Sequence, residues 1–143
     1  MSQTVDANIL IYAINEDAPE FEVASKLLNR LGRGPDLVYL FWPTVFAFLR
    51  LATHPAILPN PLSASEAERA IERLTERSHV KSPGEGTGFW NVYLQTAGAP
   101  RGNQVPDAHL AALMRAHGVR TIYTRDRDFR RFNGIEALDP FVG

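Results

Sequence analysis

The sequence predicts a three-layer α/β/α sandwich around a mostly parallel sheet of four or five strands. Short β-prone segments alternate with longer stretches of helical periodicity along the whole chain. Strands separated by helices require crossover connections, and crossovers give parallel pairing with helices on both faces. The 143 residues, 45% of them hydrophobic, fit one domain spanning residues 1–143, long enough to bury roughly 68–70% of the surface of the unfolded chain. Strand order is not readable from the sequence.

The first strand is the short β-tolerant run Gln3-Thr4-Val5, followed by a helix from Ala7 to Asn15 with Ile9, Leu10, Tyr12, Ala13 and Ile14 as its packing residues. Pro19 to Arg33 places Phe21, Ala24, Leu27, Leu28 and Leu31 on one helical stripe, and Gly32 and Gly34 stop it. Asp36 to Trp42 reads as an apolar strand. Pro43 then opens a helix through Phe46, Phe48, Leu49 and Leu51 that ends before Pro55, because the residue preceding a proline disfavours helical geometry. Ser63 or Ser65 caps the next helix, with Ala67, Ala70, Ile71 and Leu74 inside.

Lys81 to Gly88 is a break in composition. Its Gly84-Glu85-Gly86-Thr87-Gly88 run lacks the Gly-Lys-Ser/Thr ending of a phosphate loop and reads as the entry to a helix. In that helix Phe89, Trp90, Tyr93 and Leu94 share a face suited to a core or a subunit interface. A further helix from Val105 to His117 carries Leu110, Leu113 and Met114 and ends at Gly118. Arg120 to Thr124 and Ile135 to Leu138 are the last strands.

Composition removes several functional classes. The chain has no cysteine, which excludes thiolate metal sites and cysteine nucleophiles and agrees with a reducing compartment. No long apolar run and no leader pattern at Met1-Ser2-Gln3-Thr4 point to export or a membrane, so a cytoplasmic location is expected. A net charge of −1 argues against coating nucleic acid through bulk positive charge. Arg115, Arg120, Arg125, Arg127, Arg130 and Arg131 nevertheless outnumber the nearby acids Asp126 and Asp128; they read equally as a phosphate-holding surface and as a solvated face.

Three aspartates carry the chemistry. Asp6 follows the first strand, Asp107 stands near the start of a helix after Pro106, and Asp126 follows Thr121-Ile122-Tyr123-Thr124. Each has an ordinary role available: Asp6 as a helix cap, Asp107 in the favourable dipole of a first turn, Asp126 as a turn residue. Two of the three stand at the carboxyl ends of strands, where open parallel sheets hold their ligands. Carboxylates gathered there repel one another unless a cation neutralises them, and Mg²⁺ suits such a set because it takes few carboxylates, keeps waters and engages phosphate. A metal held this way can polarise a phosphodiester and lower the pKa of a bound water, so hydrolysis of a nucleic-acid backbone fits best and needs no serine, cysteine or lysine nucleophile. Aspartyl-phosphate phosphatases and phospho-receiver domains need a late lysine, and the only lysines are Lys26 and Lys81.

Four stretches in order, Val5-Asp6-Ala7-Asn8-Ile9-Leu10, Phe48-Leu49-Arg50-Leu51-Ala52-Thr53-His54-Pro55, Val105-Pro106-Asp107-Ala108-His109-Leu110-Ala111-Ala112 and Thr124-Arg125-Asp126-Arg127-Asp128-Phe129, resemble the successive motifs of PIN-domain ribonucleases of the VapC toxin type. The resemblance implies a PIN-like fold and an endoribonuclease dependent on Mg²⁺, with Mn²⁺ as a substitute. It further implies structured RNA such as transfer RNA as substrate, a homodimer, and inhibition by a VapB-type antitoxin. By it Asp6 and Asp107 match metal-binding acids, Asp126 the acid that completes the pocket with Asp128 close behind, and Asn8 and Thr124 polar groups that orient them. Arg50 reads either as a phosphate or carboxylate brace or as a structural ion pair. His109, two positions from Asp107, falls on another helical face and is set aside as a ligand; His54, His79 and His117 read as polar helix ends.

One position departs from the pattern. Many members carry glutamate just before the Phe-Leu-Arg of the third helix, where this chain has Ala47. The alternative reading is therefore a catalytically weakened PIN-like domain retained as an RNA- or antitoxin-binding module.

Overall fold

A computed structural model describes residues 2–142. In chain order the elements are β1 (Gln3–Val5), α1 (Ala7–Tyr12), α2 (Phe21–Arg33), β2 (Val38–Tyr39), α3 (Trp42–Ala52), α4 (Ala64–Thr75), β3 (Val80–Lys81), α5 (Phe89–Ala97), α6 (Gln104–Ala116), β4 (Thr121–Tyr123), a 3₁₀ turn (Arg127–Arg131) and β5 (Glu136–Leu138). All pairings are parallel and the strand order is β3-β2-β1-β4-β5.

Two apolar layers flank this sheet. Ile9, Leu10, Leu27, Leu31, Val45, Phe48 and Ile71 from the first four helices pack with Val5, Val38 and Val80 on one side. On the other, Leu110, Leu113 and Met114 of α6 pack with Phe41, Ile122, Phe129 and Phe132. The expected α/β/α sandwich is the fold observed.

Local chemistry fixes the element ends. Asp6 caps α1 by accepting the Ala7 N–H at 2.8 Å. Ser63 and Glu66 close a reciprocal capping box at the start of α4, with bonds of 3.1 and 2.9 Å. Gly34 ends α2 at a φ of +73°, a conformation that glycine adopts without strain. Gly32 lies inside that helix instead of stopping it.

The elements depart from the sequence reading in bounds and in one strand. The run from Asp36 to Trp42 contributes only Val38–Tyr39 to the sheet, and Trp42 already begins α3. The helix expected to reach Asn15 ends at Tyr12. Val80–Lys81, at the margin of the segment read as a break, forms the edge strand β3.

The path of the chain creates a switch point in the sheet. From β1 it moves outward through β2 to β3, then crosses back to place β4 on the other side of β1. The sheet's switch point therefore lies between β1 and β4, and ligands of open parallel sheets bind in the crevice outside the strand carboxyl ends at such a point.

Candidate metal centre at the sheet's switch point

Asp6 and Thr124 are the residues that immediately follow β1 and β4, whose last residues Val5 and Tyr123 are in register. The Asp6 N–H donates to the Tyr123 carbonyl at 2.9 Å, which extends the ladder by one bond. The Thr124 hydroxyl donates to Asp6 Oδ2 at 2.9 Å and accepts the Asp126 N–H at 2.9 Å. Asp126 Oδ1 in turn accepts the Asp128 N–H at 2.9 Å. A buried threonine thus couples the acid of one strand to the acids of the next, and the turn Thr124-Arg125-Asp126-Arg127-Asp128 brings two carboxylates back over the edge.

Asp107 reaches the same place from the first turn of α6. One carboxylate oxygen from each of Asp107, Asp126 and Asp128 lies within 4.8 Å of the others; the first two are half-buried and the third is exposed. Asp6 stands beside this trio instead of within it. Its proximity is felt electrostatically, because Asp6, Asp126 and Asp128 all raise the proton affinity of Asp107.

Burial is the largest cause holding Asp107 up, to about 7, followed by its hydrogen bond and charge repulsion with Asp126. Burial also raises Asp6 above the ordinary carboxylate value, while the Thr124 hydroxyl and the Ala7 amide pull it back. A set of oxygen donors too repulsive to be fully ionised alone has the chemistry of a hard divalent cation site. The residues present therefore fit such a metal.

Three buried side-chain oxygens without a hydrogen-bond partner among the described residues are Asn8 Oδ1, Thr44 Oγ1 and Ser82 Oγ. All lie just beyond the carboxyl ends of β1, β2 and β3. An unsatisfied buried oxygen costs about 1–3 kcal/mol, so each of the three is a local weakness in the polar pairing beyond the strand ends. Asn8 was read as a supporting residue from the sequence. Thr44 and Ser82 were not, since Trp-Pro-Thr and Lys-Ser-Pro read as ordinary helix-start and loop residues.

The other singled-out residues fall elsewhere. Arg50 is exposed in the last turn of α3, about 12 Å along a helix whose first residue is at the functional edge, and forms no ion pair with an acid among the described residues. Ala47 is half-buried one turn after Thr44. His109 donates to Glu85 at 2.7 Å and His117 to the Gly84 carbonyl at 3.0 Å, so the two pin the glycine-rich segment to α6. His79 donates to the Leu31 carbonyl at 2.8 Å, near the end of α2, and His54 accepts the Ala56 N–H at 3.0 Å. Arg125 pairs with Glu20 and lies over Tyr12 and Phe141, and Arg131 lies over Phe132. These two members of the arginine run have structural partners.

The PIN domain family model matches residues 4–135. Ribonuclease VapC48 of Mycobacterium tuberculosis is 49% identical over the whole of both chains. Among solved structures, VapBC2 of Rickettsia felis bound to a promoter DNA fragment superposes with a TM-score of 0.65 at 14% identity, covering 96% of this chain and 98% of that one. VapC20 of Mycobacterium tuberculosis, described as a toxin that cleaves the sarcin-ricin loop, gives 0.64 at 18%, with coverage of 93% and 98%. The match across nearly the full length joins a sheet whose switch point carries four aspartates, and the chain belongs to the PIN-domain family, among its VapC-type members.

Proposed function

We propose that this protein is a metal-dependent endoribonuclease toxin that hydrolyses RNA phosphodiester bonds and is neutralised by a VapB-type antitoxin. The observation that carries the reading is the convergence of Asp6, Asp107, Asp126 and Asp128 on one sheet edge. Relatives named as VapC ribonucleases and neighbours described as VapBC complexes support the activity and the partner.

Asp107, Asp126 and Asp128, with Asp6 beside them, would hold Mg²⁺ or Mn²⁺, which supplies charge neutralisation and polarisation of the phosphodiester. Thr124 fixes the Asp6 carboxylate and the Asp126 backbone, so both acids are oriented before substrate arrives. Burial and repulsion hold the Asp107 carboxyl up to about 7 without metal, so taking up the cation would release its proton. Asn8, two residues after Asp6 in the first turn of α1, is a supporting polar group of this reading; its Oδ1 is buried without a partner among the described residues.

Structured RNA, transfer RNA included, is the substrate class of this reading, and a homodimer its assembly. Large apolar side chains left outside the core support the assembly: Phe46 is 63% exposed beside Trp42, and Trp90 is 66% exposed and stacked on Tyr93. Trp90 and Leu94 are thus surface residues, whereas Phe89 and Tyr93 pack against the core. Among the described residues no helix is long and apolar enough to cross a membrane.

The second reading, a weakened domain that binds RNA or antitoxin without cutting, is favoured only by Ala47. Purified protein incubated with total cellular RNA separates the two. Cleavage in Mg²⁺ that EDTA abolishes supports the enzyme; intact RNA retained on the protein under both conditions supports the module.

A further inference from the structure

The outer face of α2 carries Lys26, Arg30 and Arg33, all exposed. The spacing of four and then three residues aligns them on one helical side. With Asn29, Tyr123 and Pro140 they line a cavity of about 590 Å³ that no acidic residue borders. Glu22 is one turn before Lys26, yet none of the three cations forms an ion pair with a carboxylate among the described residues. In a chain of net charge −1, three adjacent unneutralised cations around a concavity are a local feature with an electrostatic cost.

The cavity is wired to the acid cluster. Arg30 Nη2 donates to the Tyr123 hydroxyl at 3.3 Å, and its guanidinium lies 5.8 Å from the centre of the Tyr123 ring. Tyr123 is the last residue of β4; its carbonyl accepts the Asp6 N–H, and the next residue, Thr124, holds the Asp6 carboxylate. The cavity wall and the hydroxyl that holds the Asp6 carboxylate are thus carried by consecutive residues, Tyr123 and Thr124.

We propose that Lys26, Arg30 and Arg33 form a phosphate-backbone subsite that holds single-stranded RNA flanking the bond to be cut, with Tyr123 as the wall between subsite and acids. The inference rests on the ribonuclease reading above and assigns where the strand runs. From Lys26 to Arg33 the helix rises roughly 10 Å, over which a stacked strand presents about three phosphates. The acids repel a polyanion, so a nuclease of this charge needs cations elsewhere along the strand's path, and α2 supplies three of them. Within the arginine run after β4, Arg125 is already held by Glu20.

The test uses the full chain with Lys26→Gln, Arg30→Gln and Arg33→Gln combined. A control carries Arg69→Gln, Arg73→Gln and Arg101→Gln, which removes the same charge elsewhere. Affinity for a fluorescent 20-nucleotide single-stranded RNA is measured in an Asp107→Asn background across 50–200 mM salt, and cleavage kinetics in the native background. Losing three single-strand contacts lowers the slope of log affinity against log salt by about 2. The unaltered protein should therefore lose about twenty-fold more affinity than the α2 variant over that range. KM should rise with kcat unchanged, since the three side chains do not touch the reacting atoms.

An unchanged slope and KM, or an equal change in the control, overturns the proposal while leaving metal-dependent cleavage by the native chain intact. Loss of binding to polyglutamate at unchanged RNA affinity overturns it in favour of an acidic protein segment. A native chain that neither binds nor cleaves RNA removes the ribonuclease reading itself and this subsite with it.

Discussion

Replacing Asp107 with asparagine should stabilise the metal-free protein. The Asp107 carboxyl is displaced from an ordinary 3.8 to about 7 by burial and by the carboxylates around it. At about 1.4 kcal/mol per tenfold change in proton affinity the full displacement corresponds to roughly 4 kcal/mol, and solvent screening of this half-buried group reduces it to about 1–2 kcal/mol. The sign follows from proton linkage. Between about pH 4 and pH 7 the folded chain holds a proton that the unfolded chain has released, so this group's contribution to stability falls as pH rises and reaches its minimum above 7. Asparagine removes that loss.

In EDTA at pH 8 the Asp107→Asn protein should therefore melt several degrees above the unaltered one, at about 4 °C per kcal/mol for a chain of this length. The two should melt together near pH 4. With Mg²⁺ at about a hundred times its dissociation constant, the unaltered protein gains roughly 2.7 kcal/mol and the variant much less, so the order reverses. Differential scanning calorimetry across pH, with and without metal, measures all three. A variant less stable than the parent in EDTA at pH 8 would refute the repulsion on which the metal site is argued.

Thr124→Val removes the hydroxyl shared by Asp6 and Asp126 and should cost about 1–3 kcal/mol and weaken Mn²⁺ binding, whereas Thr124→Ser should restore most of both; denaturant titration and calorimetric metal titration read these directly. Ala47→Glu should destabilise the protein in EDTA, and in Mg²⁺ should gain more thermal stability than the parent and cleave RNA faster. If instead it loses activity with no added metal stabilisation, the site is native to aspartates alone and the weakened-domain reading loses its support. Trp90→Ser should shift the assembly toward monomer in sedimentation at micromolar concentration if the exposed Trp90–Tyr93 stack is buried between subunits; an unchanged sedimentation coefficient places the dimer contact elsewhere.

The acids were legible because each sits where a local pattern changes. Asp6 and Asp126 follow short β-rich runs, and Asp107 follows Pro106 at a helix start, so nearest-neighbour chemistry marked them. Their convergence depends on strand order, which crossovers and long-range pairing decide, and the placement of β4 beside β1 has no local signature. Asp128 joins the cluster more closely than Asp6 because the turn after Thr124 folds back, a consequence of Asp126 accepting the Asp128 N–H.

The missed strand β3 is two residues long and exists through its ladder to β2, so no periodicity could announce it. The bounds of β2 failed for a related reason: Leu40 and Phe41 are apolar because they are buried, one on each side of the sheet, although neither is in a strand. The arginine run illustrates what composition hides. Arg125 and Arg131 lie against Glu20 and aromatic rings, while the cavity free of acids is lined by α2, whose cations are spread among apolar residues in the sequence.

The most direct measurement pairs Mn²⁺ binding by isothermal titration with the RNA cleavage rate as a function of Mn²⁺ concentration, on the native chain and on Asp126→Asn. The account predicts that binding and cleavage saturate over the same concentration range in the native chain, and that Asp126→Asn weakens the first and lowers the second by about a hundredfold or more. Cleavage that persists in EDTA, or at the native rate in Asp126→Asn, would contradict it.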